Sequence, residues 1–147
     1  MAFDRQGTGL VVIRTALGVF LCAEGVSKVS WLADGSVLAA RLAGWLATAP
    51  AGSVQQWYLA HVCVPGAPVF ARVVPLAECG TGLALLLGVA TPTVAWLAAA
   101  MVLNFQVANG MVSSWSYLTN GYGLPVLGPL VDRKSTRLNS SHTDISR

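Results

Sequence analysis

The sequence predicts an all-α integral membrane protein: a transmembrane four-helix bundle whose fourth helix is cut short. Three observations predict it. Stretches 9–29, 69–89 and 93–112 are apolar, and at a 1.5 Å rise per residue each can cross a hydrocarbon core of about 30 Å. A further apolar stretch, 117–131, begins in the same way and stops early. The chain is also 54% hydrophobic and only 10% charged, where a soluble domain carries about 25% charged residues. In water such a surface would expose large apolar patches, so lipid is the simpler solvent.

The first helix, 9–29, carries Arg14, Glu24 and Lys28, and Trp31 follows as an interfacial anchor. Gly18 and Gly25 share a face with Arg14, and small residues on one face let a neighbouring helix approach closely. The apolar run contains Arg14, lacks a clear A-x-A site and continues past a signal-peptide cleavage position, which reads as an uncleaved helix. Residues 30–67 form a long connection. Within it, 37–49 has amphipathic spacing: Leu38, Leu42, Trp45 and Leu46 on one side, Arg41, Gly44 and Thr48 on another. Such a helix lies in the interface plane or caps the bundle. The Pro50-Ala51-Gly52-Ser53 run breaks it, residues 55–58 start a second short turn, and Pro65-Gly66-Ala67-Pro68 ends the connection.

The second membrane helix, 69–89, holds Arg72, Pro75 and Glu78. Pro75 predicts a kink, because proline removes one backbone hydrogen bond and crowds the preceding turn. Gly80, Gly82 and Gly88 predict close packing. The short turn Ala90-Thr91-Pro92 makes the second and third helices antiparallel neighbours. The third, 93–112, is alanine-rich with Asn104, Gln106 and Asn109, and Trp115, Tyr117 and Tyr122 read as an aromatic belt.

Two segments follow: a membrane domain, 1–133, and a polar, serine- and threonine-rich tail, 134–147, expected to be non-native or disordered sequence and set aside from fold reasoning. The tail holds three basic and one acidic residue of a total net charge of +3, so residues 1–133 are only +1. With no basic stripe and no base-stacking aromatics, nucleic acid is not an expected partner. The three cysteines, Cys22, Cys63 and Cys79, form no CxxC and read as small hydrophobes. No metal site is expected, and no helix carries the histidine pair that haem or di-iron ligation would need.

Function must then be sought in the ionisable residues at membrane depth, each of which costs about 2.5–3.5 kcal/mol on insertion scales. With 9–29 and 69–89 antiparallel end to end, Glu24 and Arg72 fall at one level near an interface. Lys28 lies one turn from Glu24. This predicts a Glu24–Lys28–Arg72 cluster at the connection end. Glu78 falls near the midplane, level with Val19 or Phe20, with Arg14 within an arginine's reach and Asn104 as a neutral partner. Three readings stand side by side. Buried pairs can fix helix register without chemistry. Alternatively, Glu78 and Arg14 are catalytic, Glu78 exchanging a proton and Arg14 setting its charge. In the third reading, Lys28 and Arg72 hold a lipid headgroup or substrate anion. Gly18, Gly25, Gly82 and Gly88 are the helix-packing set.

The pattern Arg14-x3-Gly18-x6-Gly25-x2-Lys28, with Pro65, Phe70-Ala71 and Glu78-x3-Gly82-x-Ala84-Leu85-Leu86-Leu87-Gly88-x2-Thr91, resembles the DoxX family of small four-helix membrane proteins. That group includes the related DoxD subunit of thiosulfate:quinone oxidoreductase. The resemblance covers residues 9–131 and implies Arg14, Gly25, Lys28 and Glu78 as family-type positions. It also implies both ends cytoplasmic and the long connection outside, in a bacterial-like inner membrane, although lysine and arginine counts alone do not fix orientation. The function expected from it is a quinone-interacting component of a sulfur- or thiol-linked oxidoreductase, with quinone as the only cofactor considered. The bilayer, a redox subunit and a second copy of the chain are the partners. The alternative is a non-catalytic scaffold anchoring a redox or envelope partner. A small-solute transporter ranks last, since no internal repeat is evident.

Overall fold

The computed structural model describes residues 5–113 together with Leu118, Val126 and Pro129, and all its elements are helical. In order they are α1 (Arg5–Ser27), α2 (Ser30–Ala33), α3 (Ser36–Thr48), α4 (Val54–Tyr58), a π-helical turn (Leu59–Cys63), α5 (Val64–Leu87), α6 (Thr91–Ala108) and a 3-10 turn (Met111–Ser113). Among the described residues three spans are long and apolar enough to cross a membrane: Gly9–Ala33, Val54–Leu87 and Thr91–Ala108. The chain is a multi-pass, all-α membrane protein. The expected fourth helix at 117–131 lies outside the described residues except for Leu118, Val126 and Pro129, and the tail 134–147 lies wholly outside them.

Two apolar cores hold the bundle. The membrane core packs Leu17 and Leu21 of α1 with Leu85 of α5, Val94, Ala98 and Val102 of α6, and Val126. The second core lies at the connection end, where Trp31, Leu38, Leu42, Leu59, Cys63, Ala67, Ala71 and Ala108 cluster. Of the two settings open to the amphipathic segment, the structure takes the cap. α3 turns Leu38 and Leu42 inward and leaves Arg41, Gly44 and Thr48 exposed. Val12, Val69, Leu76, Leu83 and Leu87 are among the large apolar side chains on the outer surface, the arrangement lipid favours and water does not.

The second span departs from expectation. It starts at Val54 and runs without a break to Leu87. The Pro65–Pro68 run therefore does not end the connection. Pro65 is the second residue of α5, close after the π turn that interrupts the regular ladder at Leu59–Cys63. Pro68 and Pro75 lie inside α5. The start signal was present in the sequence as Ser53-x-x-Gln56. The Ser53 hydroxyl accepts from the Gln56 N–H at 3.1 Å, and Gln56 Oε1 accepts from the Gly52 N–H at 2.8 Å. This is close to a capping box.

Glycine brings α1 and α5 into backbone contact. A Cβ on Gly25 would lie 2.5 Å from Cys79 Sγ and 2.9 Å from the Pro75 carbonyl oxygen. One on Gly82 would lie 2.8 Å from both the Cys22 nitrogen and the Gly18 carbonyl oxygen. Gly18 is equally crowded by Leu86. Gly80, expected to pack, instead faces open space. Gly88 has a different role: at φ +75° it ends α5. Its N–H donates to the Leu85 carbonyl and the Val89 N–H to that of Ala84, the paired bonds of a Schellman stop.

A buried ion triad beneath the amphipathic cap

The glycine contacts set the register of α1 against α5. Gly25 lies opposite Pro75 and Cys79, so Glu78 stands level with Glu24 and Lys28 and not with Val19 and Phe20. The end-to-end alignment expected from 9–29 and 69–89 differs from this register by about one helical turn, because the glycine contacts, and not the ends of the apolar runs, set the level. Lys28 Nζ consequently reaches both Glu78 oxygens, at 2.9 and 2.7 Å, and Glu24 Oε2 at 2.9 Å. Lys28 and Glu78 are buried, while Glu24 is partly exposed. The rings of Phe105 and Trp31 lie 5.5 and 6.0 Å from the ammonium, close enough for both quadrupoles to favour the cation.

Three expected partners are elsewhere. Arg72 is exposed on α5 and donates to the carbonyl of Pro68 at 3.3 Å. Its level was misjudged for the same reason as that of Glu78, and Glu78 takes its place in the cluster. Asn104 does not meet Glu78; it accepts a hydrogen bond from the Tyr58 hydroxyl. Arg14 lies toward the other end of α1, its guanidinium against Gly88, so that any Cβ there would collide with it. The structure thus does not bring Arg14 to Glu78. The triad, in turn, was only half visible in sequence: the i,i+4 pair of Glu24 and Lys28 was legible, but its partner on α5 depended on the register.

A cavity of about 290 Å³ opens beside the triad. Phe20 and Leu21 of α1 and Val102 and Phe105 of α6 form its membrane side; Arg41 and Trp45 of α3 form its cap side. Glu24, Lys28 and Glu78 stand between, with Ser27 and Asn109. Arg41 is held over the Trp31 ring at 5.4 Å. The volume is at the small end of ligand pockets and suits one ring-sized head group. Gln55 of α4 tethers that helix to α6 by donating to the Ala108 carbonyl at 3.2 Å. Among the described residues no group of three His, Cys, Asp or Glu side chains is placed to hold a metal ion.

A family model for DoxX matches residues 9–109, which include α1, the cap, α5 and α6. The chain belongs to the DoxX family. No curated protein and no solved structure gives a significant match. Arg14, Gly25, Lys28 and Glu78, the positions implied by the resemblance, all fall within the matched DoxX region. In this DoxX protein three of them meet at one level of the bundle, and Arg14 stands apart.

Proposed function

We propose that this DoxX protein holds a quinone head group in the cavity beneath α3, as a membrane component of a sulfur- or thiol-linked oxidoreductase in the inner membrane. The observation that carries the proposal is the meeting of an aromatic-lined, ring-sized cavity with the buried Lys28–Glu78 pair and its partly exposed neighbour Glu24. Aromatic side chains offer stacking faces for a flat ring, here Phe20, Trp45 and Phe105. The apolar membrane side accommodates the isoprenoid tail of a lipid-soluble ligand. Reducing a quinone to a quinol consumes two electrons and two protons, so its site needs an acid–base group within reach of an oxygen. Glu78, the more buried of the two cavity carboxyls, relays the protons one at a time to that oxygen, and Lys28 holds it in place. Ionisable residues at membrane depth are costly to insert, and their presence marks function more often than decoration.

The test is quinone reduction in membranes carrying the full chain and its native partners, with thiosulfate or a thiol as donor. Activity is expected to depend on the protein and to fall at least tenfold in Glu78→Gln. Undiminished activity in a folded Glu78→Gln chain removes Glu78 from the chemistry. If that variant also still co-purifies with a redox or envelope protein, the scaffold reading replaces the catalytic one.

A further inference from the structure

Glu78 serves one oxygen of such a ring, and α6 carries a group suited to the other. Val102, Phe105 and Asn109 all line the cavity, and their spacing of three and four residues sets them along one face of α6. Levels follow from the short turn between Gly88 and Thr91. At the helical rise Glu78 stands about 15 Å from that turn, Phe105 about 21 Å and Asn109 about 27 Å. Phe105, whose ring lies 5.5 Å from the Lys28 ammonium, is therefore at a level midway between Glu78 and Asn109. A para-quinone holds its oxygens about 5 Å apart, and a hydrogen bond of about 2.9 Å at each end extends that to about 11 Å. The two levels differ by about 12 Å.

A neighbour fixes which way the Asn109 amide points. Asn109 closes the end of α6, and its Oδ1 accepts from the Met111 N–H at 2.9 Å. A backbone N–H only donates, so the amide oxygen faces Met111 and the two Nδ2–H donors are turned away from it. Among the described residues no acceptor takes either donor. Arg41, the other donor in the lining, is held over the Trp31 ring at 5.4 Å. We propose that Asn109 is a ligand-binding residue: with the ring seated against Phe105, its amide donates to the oxygen remote from Glu78, and the cavity thereby selects rings with two oxygens in para relation. This rests on the quinone reading above. A quinone oxygen accepts hydrogen bonds, and the amide supplies a neutral donor at the end of the ring that Glu78 does not reach.

The experiment uses the full chain in lipid nanodiscs, with decylubiquinone isotope-labelled at one or the other carbonyl carbon, infrared difference spectra and empty discs subtracted. In the parent both carbonyl bands are expected below their frequency in lipid alone. Asn109→Asp keeps an oxygen for the Met111 N–H and removes both donors. One band is then expected to return to the lipid frequency, and affinity to fall about fivefold to tenfold, the effect of one hydrogen bond lost, with the thermal midpoint retained. Fewer than two lowered bands in the parent would overturn the inference without recourse to any variant, and so would both bands staying low in Asn109→Asp; either result leaves the quinone reading standing. If the probe does not bind the parent at all, the quinone reading itself fails, and the inference with it.

Discussion

Adding one methyl group at Gly25 tests the packing that aligns the triad. In Gly25→Ala the new Cβ falls 2.5 Å from Cys79 Sγ, 2.8 Å from the Cys79 nitrogen and 2.9 Å from the Pro75 carbonyl oxygen. Two of these neighbours are backbone and cannot rotate aside. Restoring an ordinary contact of 3.4 Å requires α1 and α5 to separate by about 0.5–0.9 Å at this level. A radial gap of that size forfeits a quarter to a half of the dispersion energy of the contacts it opens. With the strain of overpacking, the expected loss is about 2–3 kcal/mol. The same separation stretches the Lys28–Glu78 bonds, which lie less than one turn away. Gly80→Ala is the matched control: a Cβ there meets nothing within 4 Å, and replacing a helical glycine gains up to about 1 kcal/mol. Unfolding of both variants and the parent, followed by thermal denaturation in the same lipid nanodiscs, reads the difference. The reasoning is refuted if Gly25→Ala is as stable as the parent, or if Gly80→Ala is equally damaged.

Three other perturbations follow from the same contacts. Lys28→Met strips Glu78 of its buried counter-ion and is expected to cost about 3–5 kcal/mol, while the paired change Lys28→Met with Glu78→Leu recovers most of it; a double-mutant cycle in denaturant titrations measures the coupling. Gly88→Ala must hold alanine at φ +75° against Arg14, an expected loss of about 1–2 kcal/mol, visible as a lowered midpoint that Arg14→Ala relieves only in part. Outside the spans, hydrogen bonds from the Ser36 hydroxyl and backbone N–H hold the Asp34 carboxyl below its usual range. Its contribution to the start of α3 is therefore present above the unfolded-state value near pH 4. It is lost as the pH falls through the lower folded-state value, and amide exchange at Ser36 should accelerate in that acidic window but not in Asp34→Ala.

Much of the bundle was legible in sequence because hydropathy is additive along the chain. The three spans and the amphipathic α3 need no knowledge of partners. The glycine faces were legible too, in that Gly18, Gly25 and Gly82 do carry the α1–α5 contact. Level was harder to read. Proline in a sequence reads as the end of the connection, yet the helix runs on through Pro65, with a π turn just before it. Aligning the two apolar runs end to end misplaces every α5 residue by about one turn, which exchanges Glu78 for Arg72 in the predicted cluster. Asn104 was drawn to Glu78 by its depth, but Tyr58, placed beside it by the upward extension of the helix, holds it instead.

The uninterrupted run from Val54 to Leu87 makes the protein mechanically asymmetric. At the helical rise its 34 residues extend about 51 Å, well beyond a hydrocarbon core of about 30 Å. The outer part stands above the bilayer beside α3, and the inner part carries Glu78. Val54 and Glu78 are separated by about 36 Å of continuous helix. A pivot of about 5° around the midpoint between them swings each end by about 1.5 Å, as much as separates a sound hydrogen bond from a broken one. Whatever leans on the exposed surface of the cap therefore has leverage over the carboxyl group buried in the membrane.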